Sequence, residues 1–229
     1  MLRFDNVSYA YGHRPALTDA SFQIEAGVTG LLGVNGAGKS TALRLAVGEL
    51  RPAAGSIHCG LDGRSASVGY CPQTVSLPKQ LRVGEFLEYL AWLRKVPKAR
   101  RRPVVEEALA WADLGERRSD RIGALSGGMV RRLLIAQAVM DSPSLLLLDE
   151  PTTGLDPEQR ARIRALLVDL PTSATVLLSS HIVEDIAALA SSTLVLHEGR
   201  VVRRFDADEV AASGRSLEEL FLSSITHAA

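Results

Sequence analysis

Apolar and polar positions alternate with the period of a β-strand in the first part of the chain. Between residues 1 and about 30 the apolar side chains come in short bursts, which Tyr-Gly and Ala-Gly pairs interrupt. These apolar positions are Leu2, Phe4, Val7, Phe22 and Ile24. Alternation of this kind, with turn residues between the bursts, is typical of antiparallel hairpins. We therefore expect an antiparallel β layer at the start of the chain.

Three later apolar runs have the composition of strands that are buried on both faces. They are residues 28–33, 145–148 and 175–178. A glycine-rich loop and a helical pattern over residues 39–50 follow the first run, and helix-like segments follow the other two. Such strands belong to parallel sheets whose faces are covered by helices. The pattern predicts an α/β core with a mostly parallel sheet, and a further hairpin at residues 193–204.

A helical period replaces the strand period after residue 78. Apolar side chains recur there three or four positions apart, with Arg and Lys between them. These positions are Phe86, Leu87, Leu90, Leu93, Val105, Leu109 and Ala112. We expect a small helical subdomain at about residues 78–140, inserted in the core of a single domain that spans residues 1–229.

The composition narrows the classes of function. Hydrophobic residues make up 46% of the 229 residues, which is enough apolar material for a sizeable core. Lys plus Arg and Asp plus Glu both number 26, so a net charge of zero gives no overall attraction to nucleic acid. Cys59 and Cys71 form no C-x-x-C pair, which fits a reducing cytoplasm. No apolar stretch approaches the ~18 residues of a membrane span, so we expect a soluble chain.

The glycine-rich loop carries a specific chemical signal. Residues 33–40, Gly-Val-Asn-Gly-Ala-Gly-Lys-Ser, match G-x-x-x-x-G-K-[ST] between a predicted strand and a predicted helix. The glycines let backbone N–H groups converge on phosphate oxygens at the amino end of a helix. Lys39 then reaches the β and γ phosphates, and the Ser40 hydroxyl can ligate Mg²⁺. The alternative is a flexible glycine turn, which the flanking strand and helix disfavour.

A second signal is the pair of carboxylates at the end of the leucine run. Asp149 and Glu150 follow residues 145–148 directly. Asp149, the first residue past the predicted strand, is expected to hold Mg²⁺ through its water shell, and Glu150 is expected to be the general base that polarises the attacking water. Taken alone, the pair also fits an ordinary strand end with a helix cap. The phosphate loop upstream favours the catalytic interpretation.

With a third motif, these residues resemble the nucleotide-binding subunits of ATP-binding-cassette (ABC) transporters. Residues 125–129, Leu-Ser-Gly-Gly-Met, resemble the signature loop of that family, although Ser followed by glycines is also a plain helix N-cap. The resemblance implies a second nucleotide-binding subunit, in a homodimer, whose Ser126, Gly127 and Gly128 reach the γ-phosphate. Met129 stands where the family often has Gln, so we expect an altered contact between the subunits.

Four smaller matches follow the order of the family and extend the resemblance over residues 2–204. Tyr11 resembles the aromatic residue that stacks on adenine, with Tyr9 as a rival. Gln73 resembles the glutamine that senses Mg²⁺ and the γ-phosphate and leads into the lobe that touches the membrane partner. In isolation, a tyrosine in a strand or a glutamine in a loop carries little information.

The other two matches lie after the acidic strand. Residues 154–156, Gly-Leu-Asp, resemble the loop that links the two active sites across the dimer, and Asp156 before Pro157 is also a good helix cap. His181 resembles the histidine that contacts the γ-phosphate and orders Glu150. Asp156 can both belong to the loop between the active sites and cap the helix.

The resemblance implies ATP and Mg²⁺ as cofactors and assigns a set of site residues. The expected nucleotide-binding residues are Tyr11, Gly33, Asn35, Gly36, Ala37, Gly38, Lys39, Ser40, Thr41, Ser126, Gly127 and Gly128. The expected Mg²⁺ ligands are Ser40, Gln73 and Asp149. The expected catalytic residues are Glu150, His181 and Gln73.

The most specific function that these features imply is ATP hydrolysis coupled to export. Residues 217–221 resemble the end of cassettes from bacterial exporters of the ABC-2 type, although an ordinary amphipathic helix would look the same. The resemblance then implies separate transmembrane permease subunits and a cytoplasmic chain held on the inner face of the membrane. The basic segment 94–102 is a solvated face or a contact with lipid headgroups or an acidic permease surface. We expect no nucleic-acid partner.

Two other classes fit the same motifs. One is a soluble ABC ATPase that acts on ribosomes or another macromolecule, and the other is a nucleotide-binding regulatory module without useful turnover. A pull-down of permease partners and a hydrolysis assay separate these classes.

Overall fold

The computed structural model describes residues 1–61, 64–170 and 173–226. The strands are β1 (Leu2–Tyr11), β2 (Arg14–Ile24), β3 (Gly27–Leu32), β4 (Ala54–Leu61), β5 (Arg64–Ser65), β6 (Val68–Cys71), β7 (Leu145–Asp149), β8 (Thr175–Ser180), β9 (Ser192–His197) and β10 (Arg200–Asp206). The helices are α1 (Lys39–Ala46), α2 (Val83–Leu93), α3 (Lys98–Trp111), α4 (Gly127–Val139), α5 (Pro157–Val168), α6 (Val183–Leu189), α7 (Ala207–Ser213) and α8 (Leu217–Thr226).

Two sheets form the architecture. The first has the order β2-β1-β4-β5 and is antiparallel, and the second has the order β10-β9-β3-β8-β7-β6. In the second sheet β6, β7, β8, β3 and β9 run parallel, and β10 joins as an antiparallel edge strand. The predicted antiparallel layer, parallel core and late hairpin are therefore confirmed.

The leucine run of β7 divides its side chains between the two faces of the second sheet, because successive side chains of a strand point to opposite sides. Leu145 and Leu147 pack with buried side chains of β1, β2 and α1. Leu146 and Leu148 pack with those of α4, α5, α6 and α8 on the other face. Each fully buried leucine contributes about 1.5–3 kcal/mol of hydrophobic stabilisation. The central strands are thus held rigidly from both sides.

A third buried cluster lies among α2, α3 and the neighbouring face of α4. Its members include Phe86, Leu87, Val105 and Leu109. Leu93, which the period placed with them, has 51% of its surface exposed, since it is the last residue of α2 and lies off the face that packs on α3. The division into one domain of residues 1–229 with a helical subdomain at 78–140 stays a prediction. Residues 62–63, 171–172 and 227–229 of the predicted domain lie outside the described residues.

Helix α1 ends earlier than the pattern predicts. The apolar spacing extends to Leu50, whereas the helix ends at Ala46. Gly48 has a φ of +82°, the left-handed conformation with which many helices terminate. The apolar positions beyond it continue the hydrophobic contact as a loop rather than as a helix.

Strand β6 and helix α4 approach each other closely at Gly69. A Cβ atom at Gly69 would lie 2.0 Å from the carbonyl oxygen of Ala138. We expect Gly69→Ala to lower the free energy of unfolding by about 1–3 kcal/mol, because the helix must move away from the sheet. Denaturant titration measures this change. Gly115→Ala is the matched control, since a Cβ atom there meets nothing within 4 Å; equal losses in both variants would contradict the packing argument.

Candidate active site

The candidate site lies where four parallel strands end at the same edge of the second sheet. The phosphate loop follows β3, Glu150 follows β7, His181 follows β8 and Gln73 follows β6. In open α/β sheets this carboxyl edge is the usual place for a ligand. The parallel order of the strands thus brings together side chains that are up to 148 positions apart between Gly33 and His181.

The phosphate loop is packed so tightly that its ends require glycine. A Cβ atom at Gly33 would lie 2.4 Å from the carbonyl oxygen of Leu196, and one at Gly38 would lie 2.4 Å from that of Ala16. Gly38 also has a φ of +107° and is the N-cap of α1, so the loop feeds directly into the helix. Asn35 and Gly36 are exposed at the tip, whereas Ala37 and Thr41 are buried.

Lys39 lies with its ammonium group inside this loop. Its Nζ donates to the carbonyl oxygens of Gly33 at 2.8 Å and Val34 at 3.1 Å. It also lies 3.1 Å from Oε1 of Glu150, and both side chains are almost completely buried. The three contacts match the three donors of the ammonium group. A fixed positive charge therefore stands at the amino end of α1.

Glu150 is bound through both carboxylate oxygens. Oε1 pairs with Lys39. Oε2 accepts a hydrogen bond from the Thr153 hydroxyl at 2.8 Å. The same oxygen lies 2.9 Å from Nδ1 of His181 and 3.4 Å from the side-chain amide nitrogen of Gln73. Burial acts to raise the pKa of the Glu150 carboxyl, but the hydrogen bond from Thr153 and the charge on Lys39 outweigh burial and hold this pKa below its usual value. The side chain is a carboxylate at neutral pH.

Asp149 has a different environment from its neighbour. It is 2% exposed and is the last residue of β7 rather than the first residue past it. The Ser179 hydroxyl donates to its Oδ1 at 2.7 Å. Burial raises the pKa of the Asp149 carboxyl, and hydrogen bonds with Ser179 and Ser40 offset part of the rise. The hydroxyl of Ser40 thus stands beside the carboxylate of Asp149, as two neighbouring oxygen ligands.

The two candidate adenine-stacking tyrosines are neighbours. Tyr9 and Tyr11 meet edge to face with ring centroids 5.0 Å apart. Tyr11 is 44% exposed, and its hydroxyl accepts from Arg44 of α1 at 3.0 Å. Tyr9 is partly buried against the core. Tyr11 therefore has the more accessible ring, and its stacking role stays a prediction.

The signature-like loop lies at the start of α4, away from the phosphate loop. Ser126 caps the helix, with its hydroxyl accepting from the Met129 amide at 3.3 Å. A Cβ atom at Gly128 would lie 2.7 Å from Gln159 of α5, so this glycine allows close packing of the two helices. Within the described residues, no hydrogen bond joins Ser126, Gly127 or Gly128 to residues 33–40. The described hydrogen bonds therefore do not bring these two sets of predicted site residues together within one chain.

Several residues that support the site were not predicted from the sequence. Arg131 of α4 donates to the carbonyl oxygens of Pro72 at 3.1 Å and Gln73 at 2.9 Å, and so holds the loop that carries Gln73. Thr153 and Ser179 bind the two carboxylates. Hydroxyl residues next to an acidic strand end or a histidine are a possible signal, but a lone arginine in a helix is not.

A mostly parallel sheet, a glycine loop that opens a helix and an acidic strand end together define a P-loop ATPase. The ABC transporter family matches residues 17–153, which is more than half of the chain. The chain therefore belongs to the ABC transporter family and is an ATP-binding ABC ATPase. The predicted family and fold class are confirmed.

Known proteins resemble the chain over nearly its full length. It is 36% identical to the Nod factor export ATP-binding protein I of Paraburkholderia xenovorans (strain LB400), over 96% of this chain and 76% of that protein. It matches a solved ATP-binding subunit of an ABC transporter with a TM-score of 0.84 and 27% identity, covering 98% and 99% of the two chains. A dimeric ATP-binding cassette bound to ADP and Pi gives a TM-score of 0.78 and 25% identity, covering 90% and 99%.

We expect Lys39→Ala to abolish ATP binding or nearly so, because it removes the buried ammonium group in the phosphate loop. Titration of the nucleotide, with calorimetric or fluorescence detection, measures the affinity. Lys98→Ala is the control, since it removes one charge from the exposed start of α3. Equal affinity of wild type and Lys39→Ala would contradict the assignment of the loop.

Proposed function

We propose that this chain is the ATP-hydrolysing subunit of a membrane exporter and works as a pair of identical cassettes. The observation that carries the proposal is the cluster at the carboxyl edge of the sheet, where Lys39, Glu150 and His181 are in contact. The name of the relative from Paraburkholderia, a Nod factor export protein, supports export rather than import. It does not identify the substrate of this chain.

The phosphate loop is proposed to hold the β and γ phosphates. Backbone N–H groups of residues 33–41 at the amino end of α1 face anionic oxygens, and the charge of Lys39 compensates theirs. ATP would then replace Glu150 as the ionic partner of Lys39. Glu150 is released from that contact while Thr153 and His181 still hold its other oxygen. Binding of ATP thereby frees one oxygen of the carboxylate for the water.

Hydrolysis is proposed to proceed by in-line attack of water on the γ-phosphorus. The bond from the water oxygen to phosphorus forms as the bond to the β–γ bridging oxygen breaks, and the products are ADP and inorganic phosphate. Glu150 orients the water and accepts its proton, a role that requires the ionised carboxylate present at neutral pH. His181, 2.9 Å from Oε2 of Glu150, holds that carboxylate. We propose that it also contacts the γ-phosphate.

Mg²⁺ fits the oxygen ligands that the site offers. The Ser40 hydroxyl and the buried Asp149 carboxylate are hydrogen-bonded neighbours, and Gln73 lies on the adjacent loop. Mg²⁺ prefers oxygen ligands and is commonly bound by one or two protein groups together with substrate phosphates. When bound, the ion neutralises phosphate charge. We propose Ser40, Asp149 and Gln73 as the residues that hold it.

A second copy of the chain is proposed to complete the site. The amides of Gly127 and Gly128 and the hydroxyl of Ser126 stand at the amino end of α4, where an anion is stabilised. The solved dimeric cassette supports a pair of cassettes. Tyr11 is proposed to stack on the adenine, with its exposed ring beside α1. Each ATP then lies between one phosphate loop and the other signature-like loop.

Separate permease subunits are proposed to carry the substrate. Among the described residues, none of the helices has the length and apolar character to cross a bilayer. We propose that the chain is peripheral on the inner face of the membrane, held there by its permease partner. Residues 78–140, as a helical subdomain, would transmit closure of the dimer to that partner through the loop of Gln73, which Arg131 fixes to α4.

The soluble ABC ATPase and the regulatory module remain the competing classes. Capture of a permease from solubilised membranes, identified by mass spectrometry as a chain with about six apolar spans, supports the exporter. Capture of ribosomes instead contradicts it. Retained ATP binding without hydrolysis in the presence of the partner favours the regulatory module.

Glu150→Gln keeps the shape of the side chain while removing the base, so we expect ATP binding to persist and turnover to fall by at least about 10²-fold. The uncleaved nucleotide should hold two chains together. Light scattering should then show an ATP-dependent dimer that is weak or transient in the wild type. His181→Ala is the comparison: normal turnover in Glu150→Gln with none in His181→Ala would refute the assignment of the base.

Ser126→Arg should leave ATP binding to the monomer intact and block closure of the dimer, because a bulky cation enters the γ-phosphate cradle from the other chain. The readouts are nucleotide titration and light scattering in the Glu150→Gln background. Ser216→Arg is the matched control, since Ser216 likewise caps the first turn of a helix, with its hydroxyl 3.2 Å from the Glu219 amide. Normal ATP hydrolysis by Ser126→Arg would show that the signature-loop assignment is wrong.

A further inference from the structure

Helix α6 contains a buried carboxylate that the proposed mechanism does not use. Asp185 is 1% exposed. Its Oδ2 accepts a hydrogen bond from the Thr152 hydroxyl at 2.5 Å, and its Oδ1 makes no hydrogen bond but lies 3.5 Å from the guanidinium of Arg164 in α5. A buried charge is costly unless it is paired, so a retained carboxylate at this depth calls for a physical reason.

The contact between Asp185 and Thr152 is a second link between the two chain segments that carry Glu150 and His181. Thr152 is two residues after Glu150, and Asp185 is four residues after His181. Glu150 and His181 meet at 2.9 Å, and Thr152 and Asp185 meet at 2.5 Å. The segment that follows β7 and the segment that follows β8 are thus joined by two side-chain contacts. The contact of Thr152 with Asp185 thus lies next to the contact of Glu150 with His181 along both segments.

The backbone at Glu150 needs such a contact. Glu150 has a φ of +45°, which is uncommon for a residue other than glycine and costs free energy. Its amide is held by Ser179, through the carbonyl oxygen at 3.2 Å and the hydroxyl at 3.0 Å. Thr152 holds the other end of the turn. An unusual conformation of this kind persists only where the surrounding contacts determine it.

The ion pair between Asp185 and Arg164 connects these two segments to helix α5. Arg164 lies in α5, whose N-cap is Asp156, with its Oδ1 accepting from the Gln159 amide at 2.8 Å. The loop of residues 154–156 therefore joins a turn that is anchored at Thr152 to a helix that is anchored at Asp185. One carboxylate is in contact with both.

We propose that Asp185 is a positioning residue for ATP hydrolysis, which through Thr152 fixes the turn of Glu150 against the helix that follows His181. This role rests on the proposed function. Asp185 contacts neither the phosphate loop nor the carboxylate of Glu150 in the described contacts. Its effect falls on the geometry of the base, and a displacement of about 1 Å at a reacting group can cost up to about 10²-fold in rate.

The test uses the full chain and the variants Thr152→Val, Thr152→Ser and Asp185→Ala, together with the Thr152→Val/Asp185→Ala double variant. Valine removes the hydroxyl at nearly constant volume, and serine keeps it. Thr29→Val is the matched control, because Thr29 is also a buried threonine whose hydroxyl bonds another side chain, Ser192 at 3.1 Å, outside the site. The readouts are kcat and KM for ATP, thermal unfolding, and hydrogen exchange of a peptide that covers residues 150–156.

We expect Thr152→Val to lower kcat by about 10-fold with KM for ATP unchanged, since the misplaced group acts after binding. Thr152→Ser should recover most of the rate. Asp185→Ala should match Thr152→Val, and the double variant should fall no further, because both act through one contact. Hydrogen exchange of residues 150–156 should be faster in Thr152→Val and unchanged in Thr29→Val.

Four results would overturn the role of Asp185 alone: an unchanged kcat in Thr152→Val, an equal loss in Thr29→Val, multiplicative losses in the double variant, or a rise in KM that accounts for the whole effect. If Asp185→Ala does not fold, the threonine variants and hydrogen exchange still decide the question. A wild-type chain that does not turn over ATP contradicts the proposed function as well, and this is seen before any variant is measured.

Discussion

The buried ion pair between Lys39 and Glu150 is the contact on which the rest of the site depends. Their charged atoms lie 3.1 Å apart with about 4% and 5% of each side chain exposed. Neither charge would be stable at this depth alone, because an unpaired buried ion loses its hydration without compensation. The loop after β3 and the turn after β7 are therefore bound to each other before any nucleotide arrives. In the proposed mechanism, phosphate charge takes the place of Glu150 beside Lys39, so that ATP binding also frees the carboxylate that we propose as the base.

The surroundings of the adjacent carboxyl groups of Asp149 and Glu150 shift their pKa values in opposite directions. Burial raises the pKa of Asp149, whereas the Thr153 hydrogen bond and the charge on Lys39 overcome burial at Glu150 and lower its pKa. The reason is the direction of each side chain: Asp149, still in β7, faces hydroxyl groups of Ser179 and Ser40, while Glu150 turns through a positive φ toward the ammonium group. Environments that push the pKa values of two neighbouring acids apart let them take different chemical roles.

The sequence alone was informative where one local rule determines the outcome. The leucine run of β7 and the glycines before Lys39 predicted the sheet and the loop, since burial on both faces and close backbone approach leave few alternatives. It was not informative where the outcome depends on contacts between distant segments. The exposure of Leu93 depends on which face of α2 packs on α3, and the support that Arg131 gives to Gln73 depends on how α4 lies against the loop after β6. Local periodicity contains neither of these contacts.

Helix α4 joins the two halves of the proposed site within one chain. Ser126 caps its first turn, and Arg131 lies five residues further along, about 7.5 Å at the rise of an α-helix. Arg131 holds the backbone of Gln73, and the amide of Gln73 lies 3.4 Å from Glu150. The loop that we propose to reach a partner's ATP and the carboxylate that we propose to act on the chain's own ATP are thus both connected to α4. In the proposed pair, a displacement of α4 would move both Ser126 and the arginine that holds the backbone of Gln73, so this helix would couple the two sites.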